Sequence, residues 1–487
     1  MTGKKVTRRE FVADSGKIGL GVMIVPRHVL GGVGYQAPSD TMNFAVVGFG
    51  GMGSENALEL AKTENLVAFA DVDFAFSESK VAEKLKDNDK KDRPEGLKLK
   101  EKFDKAARYS DFREMLDKQK DIDGVVIATP DHLHAVVAKA AMRSGKHVYV
   151  QKPLTWAVAE ARALAKKAKE TKVATQMGNQ GHSSDEARLS VEYVQSGAIG
   201  EVREIHVWTN RPLGFWPQGI PRPEALSVPA DSLKWNGDGV DKRLAASFAG
   251  GYPVPDTLSW NLFLGVGPEV TYHPIYHPFN WRGWVDWGCG PIGDMGAHLL
   301  DVSLWALKLG LPTSIETVCT PFNKVSFPNA TQTFFKFPAR GKMPAVSLTW
   351  YDGGLLPPKP EELAENEEVN KDGGVMIVGS KGKLLHDTYG LNPRLLPKSL
   401  AESTPKPKQT LPRINSQNHE LNWADAAKGK AEASSPFSYA AELTEIMLLG
   451  VVALRAGKKI LYDPANMHVT NVPEANQYLQ RDYRKGW

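Results

Sequence analysis

Three residues of this 487-residue chain have the types and spacing to move a proton between them. Asp294 and His298 stand four apart, so a helix through them puts a carboxylate and an imidazole on one face. That pair suits general base chemistry, with His298 taking a proton and Asp294 orienting the ring or holding a substrate. The same residues also read as a helix-capping Asp with a buried, satisfied His. A metal site is a third reading, but no further ligand is evident in the spacing. Lys152 follows the apolar run 147–150 and precedes Pro153, which fixes the backbone behind it. A lysine there is aimed into the crevice beyond a strand end; the plain alternative is a surface charge.

A phosphate cradle comes before them. Residues 44–47 form a short apolar run that reads as a buried parallel strand. Gly48, Gly50 and Gly53 then supply G-x-G-x-x-G, with Gly51 and Met52 inside the turn and a helical pattern over 54–62. Gly48 permits the tight turn, Gly50 lets the backbone approach a pyrophosphate, and Gly53 lets helix and strand pack closely. The helix N-terminus faces the phosphates. A second apolar run, 66–70, ends on Asp71, placed to accept hydrogen bonds from an adenosine ribose. Strand, glycines, helix, strand and acid in that order predict a dinucleotide site rather than a bare structural βαβ unit. Asp71 favours NAD over NADP, because a carboxylate repels a 2′-phosphate.

The elements that must position these groups follow in order. Residues 122–128 read as a further buried strand closed by Thr129-Pro130, followed by a helix over 134–144, the strand 147–150 and a helix through Lys169. Thr129, Pro130, His134 and Lys152 lie at or near carboxyl ends of strands, where the nicotinamide should arrive. Residues 80–105 are strongly charged and read as helix plus exposed loop. Residues 173–179 read as a short strand, 184–196 as a helix and 201–209 as a half-exposed strand. Residues 212–276 are rich in Pro, Gly and Trp and read as a folded insertion or loop covering a pocket. Strands return at 314–319, 332–337, 345–351 and 375–378, while 361–372 and 398–409 read as polar loops. In the stretch 281–301 the glycine-rich half reads as loop, with Asp294 or Gly296 opening a helix through Leu309. Residues 438–457 read as an amphipathic helix packing back onto the core. The predicted division is a leader at 1–40, a nucleotide domain at 41–155, and a substrate-binding and oligomerisation α/β domain at 156–487.

Composition narrows the classes. Hydrophobic residues at 42% and charged residues at 24% are ordinary for a globular chain. A net charge of +4 with scattered basic residues gives no nucleic-acid footprint. Cys289 and Cys319 make neither a disulfide framework nor a zinc set. Twelve tryptophans fit either a sugar pocket or a large core. Residues 1–40 carry Arg8-Arg9, Phe11 and a weakly apolar segment at 18–26. This resembles a twin-arginine export signal, although Arg27 and His28 interrupt it and no A-x-A site follows. Periplasmic export is the reading favoured over a basic tail on a cytoplasmic protein.

The full series of motifs is Gly48-x-Gly50-x-x-Gly53, Asp71, Thr129-Pro130-x-x-x-His134, Gly145-Lys146-His147-Val148, Lys152-Pro153 and Gly293-Asp294-x-Gly296-x-His298. Over residues 43–465 it resembles the Gfo/Idh/MocA oxidoreductases, the glucose–fructose oxidoreductase and inositol dehydrogenase family. The resemblance implies an N-terminal Rossmann domain and a C-terminal α/β domain with a large, mostly antiparallel open sheet. It implies hydride transfer between a sugar or polyol carbon and a tightly bound NAD, with Lys152, Asp294 and His298 catalytic. One departure stands out: the family's usual Glu before the lysine is Gln151 here, which removes a charge beside Lys152. Asn179, Gln180 and His182 are expected to line the pocket, and Trp208, Arg211, Trp281 and Arg282 to stack on or hydrogen-bond a sugar. No metal is expected, and the partners expected are a sugar or glycoside and further copies of the chain, as a homo-dimer or homo-tetramer. The family also includes redox-neutral NAD-dependent glycosidases, whose catalytic residues are the same. A dinucleotide-binding protein without catalysis is the remaining class.

Overall fold

The computed structural model describes residues 40–487 apart from 88, 90 and 224–250. The export-signal reading and the middle of the stretch 212–276 therefore lie outside the described residues.

The apolar runs form two sheets. In the first, β1 (Asn43–Val47), β2 (Asn65–Ala70), β3 (Ala107–Tyr109), β4 (Gly124–Ile127), β5 (His147–Gln151) and β6 (Thr175–Gly178) lie in the order β3-β2-β1-β4-β5-β6. Every pairing is parallel. Residues 44–47 are buried throughout, as continuous apolar strands must be when helices cover both faces of a sheet. The strand order reverses between β1 and β4, and a crevice opens beyond their carboxyl ends. Since β6 pairs with β5, this sheet runs well past residue 155.

The second sheet contains β7 (Val202–Thr209), β8 (Ser314–Cys319), β9 (Thr331–Phe337), β10 (Val346–Tyr351), β11 (Gly373–Gly379), β12 (Lys383–Asp387), β13 (Arg394–Leu396), β14 (Ile460–Asp463) and β15 (His468–Val469). Their order is β13-β12-β11-β7-β10-β9-β8-β14-β15. Only β7 and β10 pair in parallel. The remaining pairs are antiparallel. β12 to β15 are short and were not marked by the alternation in the sequence.

Two helical expectations change. The helix Phe437–Ala456 is not amphipathic: it is buried on nearly every face, packed against the helix Val158–Thr171 on one side and β8 on another. It is also the one helix among the described residues that is long and apolar enough to cross a bilayer, and burial in the core explains that composition. The helix carrying the candidate acid and base opens at Gly290, not at Asp294, and runs to Leu299. A second helix, Asp301–Leu307, follows it. Gly296 is where that first helix meets the core helix: a Cβ there would sit 2.6 Å from Met447 Sδ. Glycine lets the Met447 side chain lie there; a larger residue would make it shift. Within 398–409, expected as loop, Lys398–Ser403 forms a short helix.

Candidate active site

A cavity of about 730 Å³ runs from the β1 turn to the helix Gly290–Leu299. At one end Gly48, Gly50, Gly51 and Met52 line it, with Asp71 beside them. Thr129, Pro130 and Lys152 come from the ends of β4 and β5. Gln180, Arg211, Trp281, Arg282, Asp294 and His298 close the other end. One space thus joins the glycine turn to the acid and base.

Gly53 lies behind the turn and not on the cavity wall. A Cβ at this position would stand 1.9 Å from the Gly48 carbonyl oxygen, so the turn closes on the helix only with glycine here. Gly48 itself has φ +82°. The helix Met52–Leu60 starts at the cavity wall, and the first amides of a helix have no partner within it. Asp71 accepts the Phe49 amide at 2.6 Å and the Asp73 amide at 2.9 Å, tying the end of β2 to the glycine turn. Burial pushes its carboxyl pKa up against the pull of those amides. Each oxygen keeps a lone pair for a ribose hydroxyl. Open backbone at Gly51, amides at a helix start and an acid at the second strand end together fit a dinucleotide. Gly53→Ala should cost about 1–3 kcal/mol through overpacking. It should also weaken NAD binding about tenfold or more, read by titration of the purified protein.

Lys152 donates to the Asp294 main-chain carbonyl at 2.9 Å and to its carboxylate. An ammonium has three protons, so one remains for the cavity. Arg282 Nε lies 3.7 Å and Arg211 Nε 3.8 Å from the same carboxylate. Burial alone would raise Asp294, but Lys152, Arg282 and Arg211 outweigh it and hold the carboxyl at about 2. Asp294 is therefore an anion that fixes cations, and neither a cap nor a proton donor. His298, one turn on, has its Nδ1 buried with no hydrogen-bond partner among the described residues. Burial, then the Lys152 charge, holds its pKa at about 3, so the ring is neutral near neutral pH.

Gln151 resolves the departure noted above. Its amide donates to Asn56 Oδ1 at 2.9 Å, and Asn56 donates to Glu420. The position belongs to a buried polar chain beneath the glycine helix, while Asp294 is the acid that meets Lys152.

Several expected contacts are absent from the cavity wall. His134 is clamped between the Pro153 carbonyl at 2.7 Å and the Thr129 carbonyl at 2.9 Å, so it braces the loops after β4 and β5. Burial holds it at about 4, leaving one N–H for the two carbonyls. His182 binds Asp301 at 2.9 Å and stacks on Trp305, inside the core. Trp208 is buried with its indole N–H donating to the Asn370 carbonyl. Asn179 is fully buried off the cavity wall. Each side chain faces a packed interior and not the cavity: Trp208, for example, packs against Leu363 and Val369 on its side of the sheet. A short motif does not fix that choice of face.

Two further titratable wall residues that escaped the sequence reading stand next to the acid and base, Tyr389 and Asp131. Tyr389 is a non-glycine residue at φ +67°, and its ring stands 4.7 Å from that of His298. Strain of this kind gathers at functional sites. Asp131 opens the helix Asp131–Arg143 and accepts the Cys289 amide at 3.0 Å. Burial pushes its carboxyl to about 7, against Arg282 and Lys152. Its position between Pro130 and His134, in a strand-end turn, was the available signal. A carboxyl raised in the fold stabilises while it is protonated, and that stability is lost as pH climbs through about 7. Asp131→Asn should therefore gain on the wild type more at about pH 8 than at about pH 5 in thermal melts.

The glycine turn, the strand order and the acid–base helix lead to one assignment. A model described as "oxidoreductase family, NAD-binding Rossmann fold" matches residues 42–179, and its C-terminal alpha/beta domain matches 245–487. The chain belongs to the Gfo/Idh/MocA oxidoreductase family. Its first sheet is the family's NAD-binding domain. A levoglucosan dehydrogenase of Pseudarthrobacter phenanthrenivorans is 36% identical over 93 residues, 19% of this chain and 24% of that protein. An alpha-N-acetylgalactosaminidase of Shewanella oneidensis is 33% identical over 108 residues, 21% of this chain and 23% of that protein. The chain thus spans about a quarter of the length of such relatives. Among solved structures, the WlbA dehydrogenase of Bordetella pertussis with NADH and UDP-GlcNAcA has a TM-score of 0.53 at 16% identity, covering 87% of this chain and 99% of that one. Levoglucosan dehydrogenase with NADH and L-sorbose gives 0.52 at 16%, covering 86% and 98%. Both show the same fold.

Proposed function

We propose that this protein oxidises a hydroxyl of a sugar or polyol, passing hydride to NAD. The observation carrying this is the single cavity that joins the glycine turn to Lys152, Asp294 and His298. NAD, when bound, supplies the hydride acceptor. Lys152 points its spare proton at the substrate oxygen while Asp294 fixes the ammonium. His298, neutral and on the cavity wall, receives the hydroxyl proton. A base held at about 3 is weak for an alcohol. It suffices once hydride has begun to leave, because the hydroxyl is then becoming a protonated carbonyl, a far stronger acid. Lys152→Met should abolish turnover while NAD still binds; retained turnover would remove the lysine from the chemistry.

A second reading keeps the same first step. Transient oxidation acidifies the neighbouring C–H, the glycosidic substituent leaves, water adds and the ketone is reduced. The galactosaminidase relative favours it. Export of the folded protein with its NAD, motivated by Arg8-Arg9, would favour it too. Products followed by mass spectrometry separate the two: free sugar with no net oxidation, or a keto-sugar in proportion to NAD. Assembly into a homo-dimer or homo-tetramer is part of the proposal, to be read by light scattering.

A further inference from the structure

We infer that the sugar taken by this site is anionic, carrying an oxyanion such as a carboxylate or sulfate that Arg211 and Arg282 hold. The inference rests on the oxidoreductase reading for the identity of the cavity, and on charge and geometry for the rest.

Three cations, Lys152, Arg211 and Arg282, surround one carboxylate, that of Asp294, on the cavity wall. Their side chains are only 12%, 21% and 19% exposed, so water does little to screen them. The neighbouring acid, Asp131, is partly protonated near neutral pH because burial holds it at about 7. Asp372, which also acts on Arg211, is exposed. The groups around Asp294 therefore keep a surplus of between one and two positive charges; of the wall's other acids, Glu55 pairs with Lys84, Glu83 with Lys80 and Asp111 with Arg113, and Asp71 takes the amides at the glycine turn. A buried surplus of that kind is costly unless a counter-charge arrives.

The arginines are oriented, yet their forks remain unspent. Each approaches Asp294 through Nε, at a distance too long for a hydrogen bond. Arg211 lies 3.2 Å over the Phe215 ring and donates from Nη1 to Asn210 Oδ1 at 2.8 Å. Arg282 lies 4.2 Å over Trp281 and donates from Nη1 to the Phe279 carbonyl at 3.1 Å. Stacking holds both guanidinium planes, and Nη2 of each makes no hydrogen bond among the described residues. Planar forks fixed in this way match the two oxygens of an oxyanion, whereas a neutral hydroxyl would accept one proton and leave the surplus buried. The cofactor pyrophosphate is provided for elsewhere, at the Gly51–Met52 helix start.

The test is equilibrium binding by calorimetry to the NAD-loaded full chain. The probes are matched methyl glycosides of glucose, galactose and N-acetylglucosamine, each neutral, as its uronate and as its sulfate ester. At least one anionic sugar should bind about tenfold to a hundredfold tighter than its neutral twin. The uronate and sulfate arms identify which oxyanion is used. Arg211→Gln and Arg282→Gln should each erase most of that advantage without weakening NAD. Neutral sugars binding as tightly as every anionic twin would overturn the inference. So would loss of NAD affinity equal to the loss of anion affinity, which would assign the arginines to the cofactor. Binding requires no turnover, so an anion that binds but never yields hydride counts against the proposed function and not against this charge assignment.

Discussion

On the proposed function, His298→Gln should yield a folded protein that binds NAD and turns over its substrate about a hundredfold to ten-thousandfold more slowly. The expectation comes from what His298 lacks. Its Nδ1 has no protein partner, so removing the ring breaks no hydrogen bond there, and glutamine fills much of its volume. What should disappear, on that reading, is the acceptor for the hydroxyl proton. Because burial holds the imidazole at about 3, the base stays neutral as pH falls until it is protonated in acid. The wild-type kcat/KM should therefore hold level through neutral pH and fall only in acid, and the variant should lack that acid limb. Stopped-flow reduction of bound NAD reads the chemical step directly. Unchanged burst rates in the variant would take His298 out of proton transfer.

Asp294→Ala should be the most damaging single change in the site. Removing one partner from a buried ion pair costs about 3–5 kcal/mol, and here three cations lose their common anion. Turnover should fall with stability, since Lys152 loses both its carboxylate partner and its orientation. The pH dependence gives an independent reading. The Asp294 carboxyl sits at about 2 in the fold against an ordinary 3.8. A depressed carboxyl stabilises above its unfolded value, and that stability is lost as pH falls through the folded one. The wild type should lose roughly 2 kcal/mol from this group between about pH 4 and about pH 2. Asp294→Asn should lack that loss. The larger cost of Asp294→Ala reflects stranded cations, a penalty that protonating one acid does not measure. Urea unfolding at neutral pH and in acid tests both.

The nucleotide half was readable because each of its demands is local. A tight turn, a close helix and an acid at the next strand end must be met by residues within about thirty positions, and Gly48 to Asp71 meet them in order. Lys152, Asp294 and His298 were readable for a related reason: a strand end and a helical spacing of four set their directions. Side-chain facing elsewhere was not. His182 and Trp208 look like pocket residues by type, but their turn and strand face the core, where Asp301 and the Asn370 carbonyl satisfy them. His134 looked like a ligand contact and proved to be a clamp on two loops. Tyr389 reaches the cavity from beyond β12, through a left-handed backbone that no pattern announces. The start of the acid–base helix was misplaced by four residues because Gly290 and Pro291 read as loop, although proline suits a first helical turn. The strands β12 to β15, at the two ends of the second sheet, are too short for alternation to mark.

The measurement that bears most directly on the central claim is a single turnover with a sugar substrate deuterated at its ring carbons. The enzyme is loaded with unlabelled NAD, quenched during the burst, and the dinucleotide is recovered for mass spectrometry. Hydride transfer in the cavity that joins the glycine turn to Lys152 and His298 predicts deuterium in the recovered dinucleotide. It predicts this for both net oxidation and a redox-neutral cycle, and predicts its loss in His298→Gln. Product formed at the wild-type rate with no label in the dinucleotide would contradict the account.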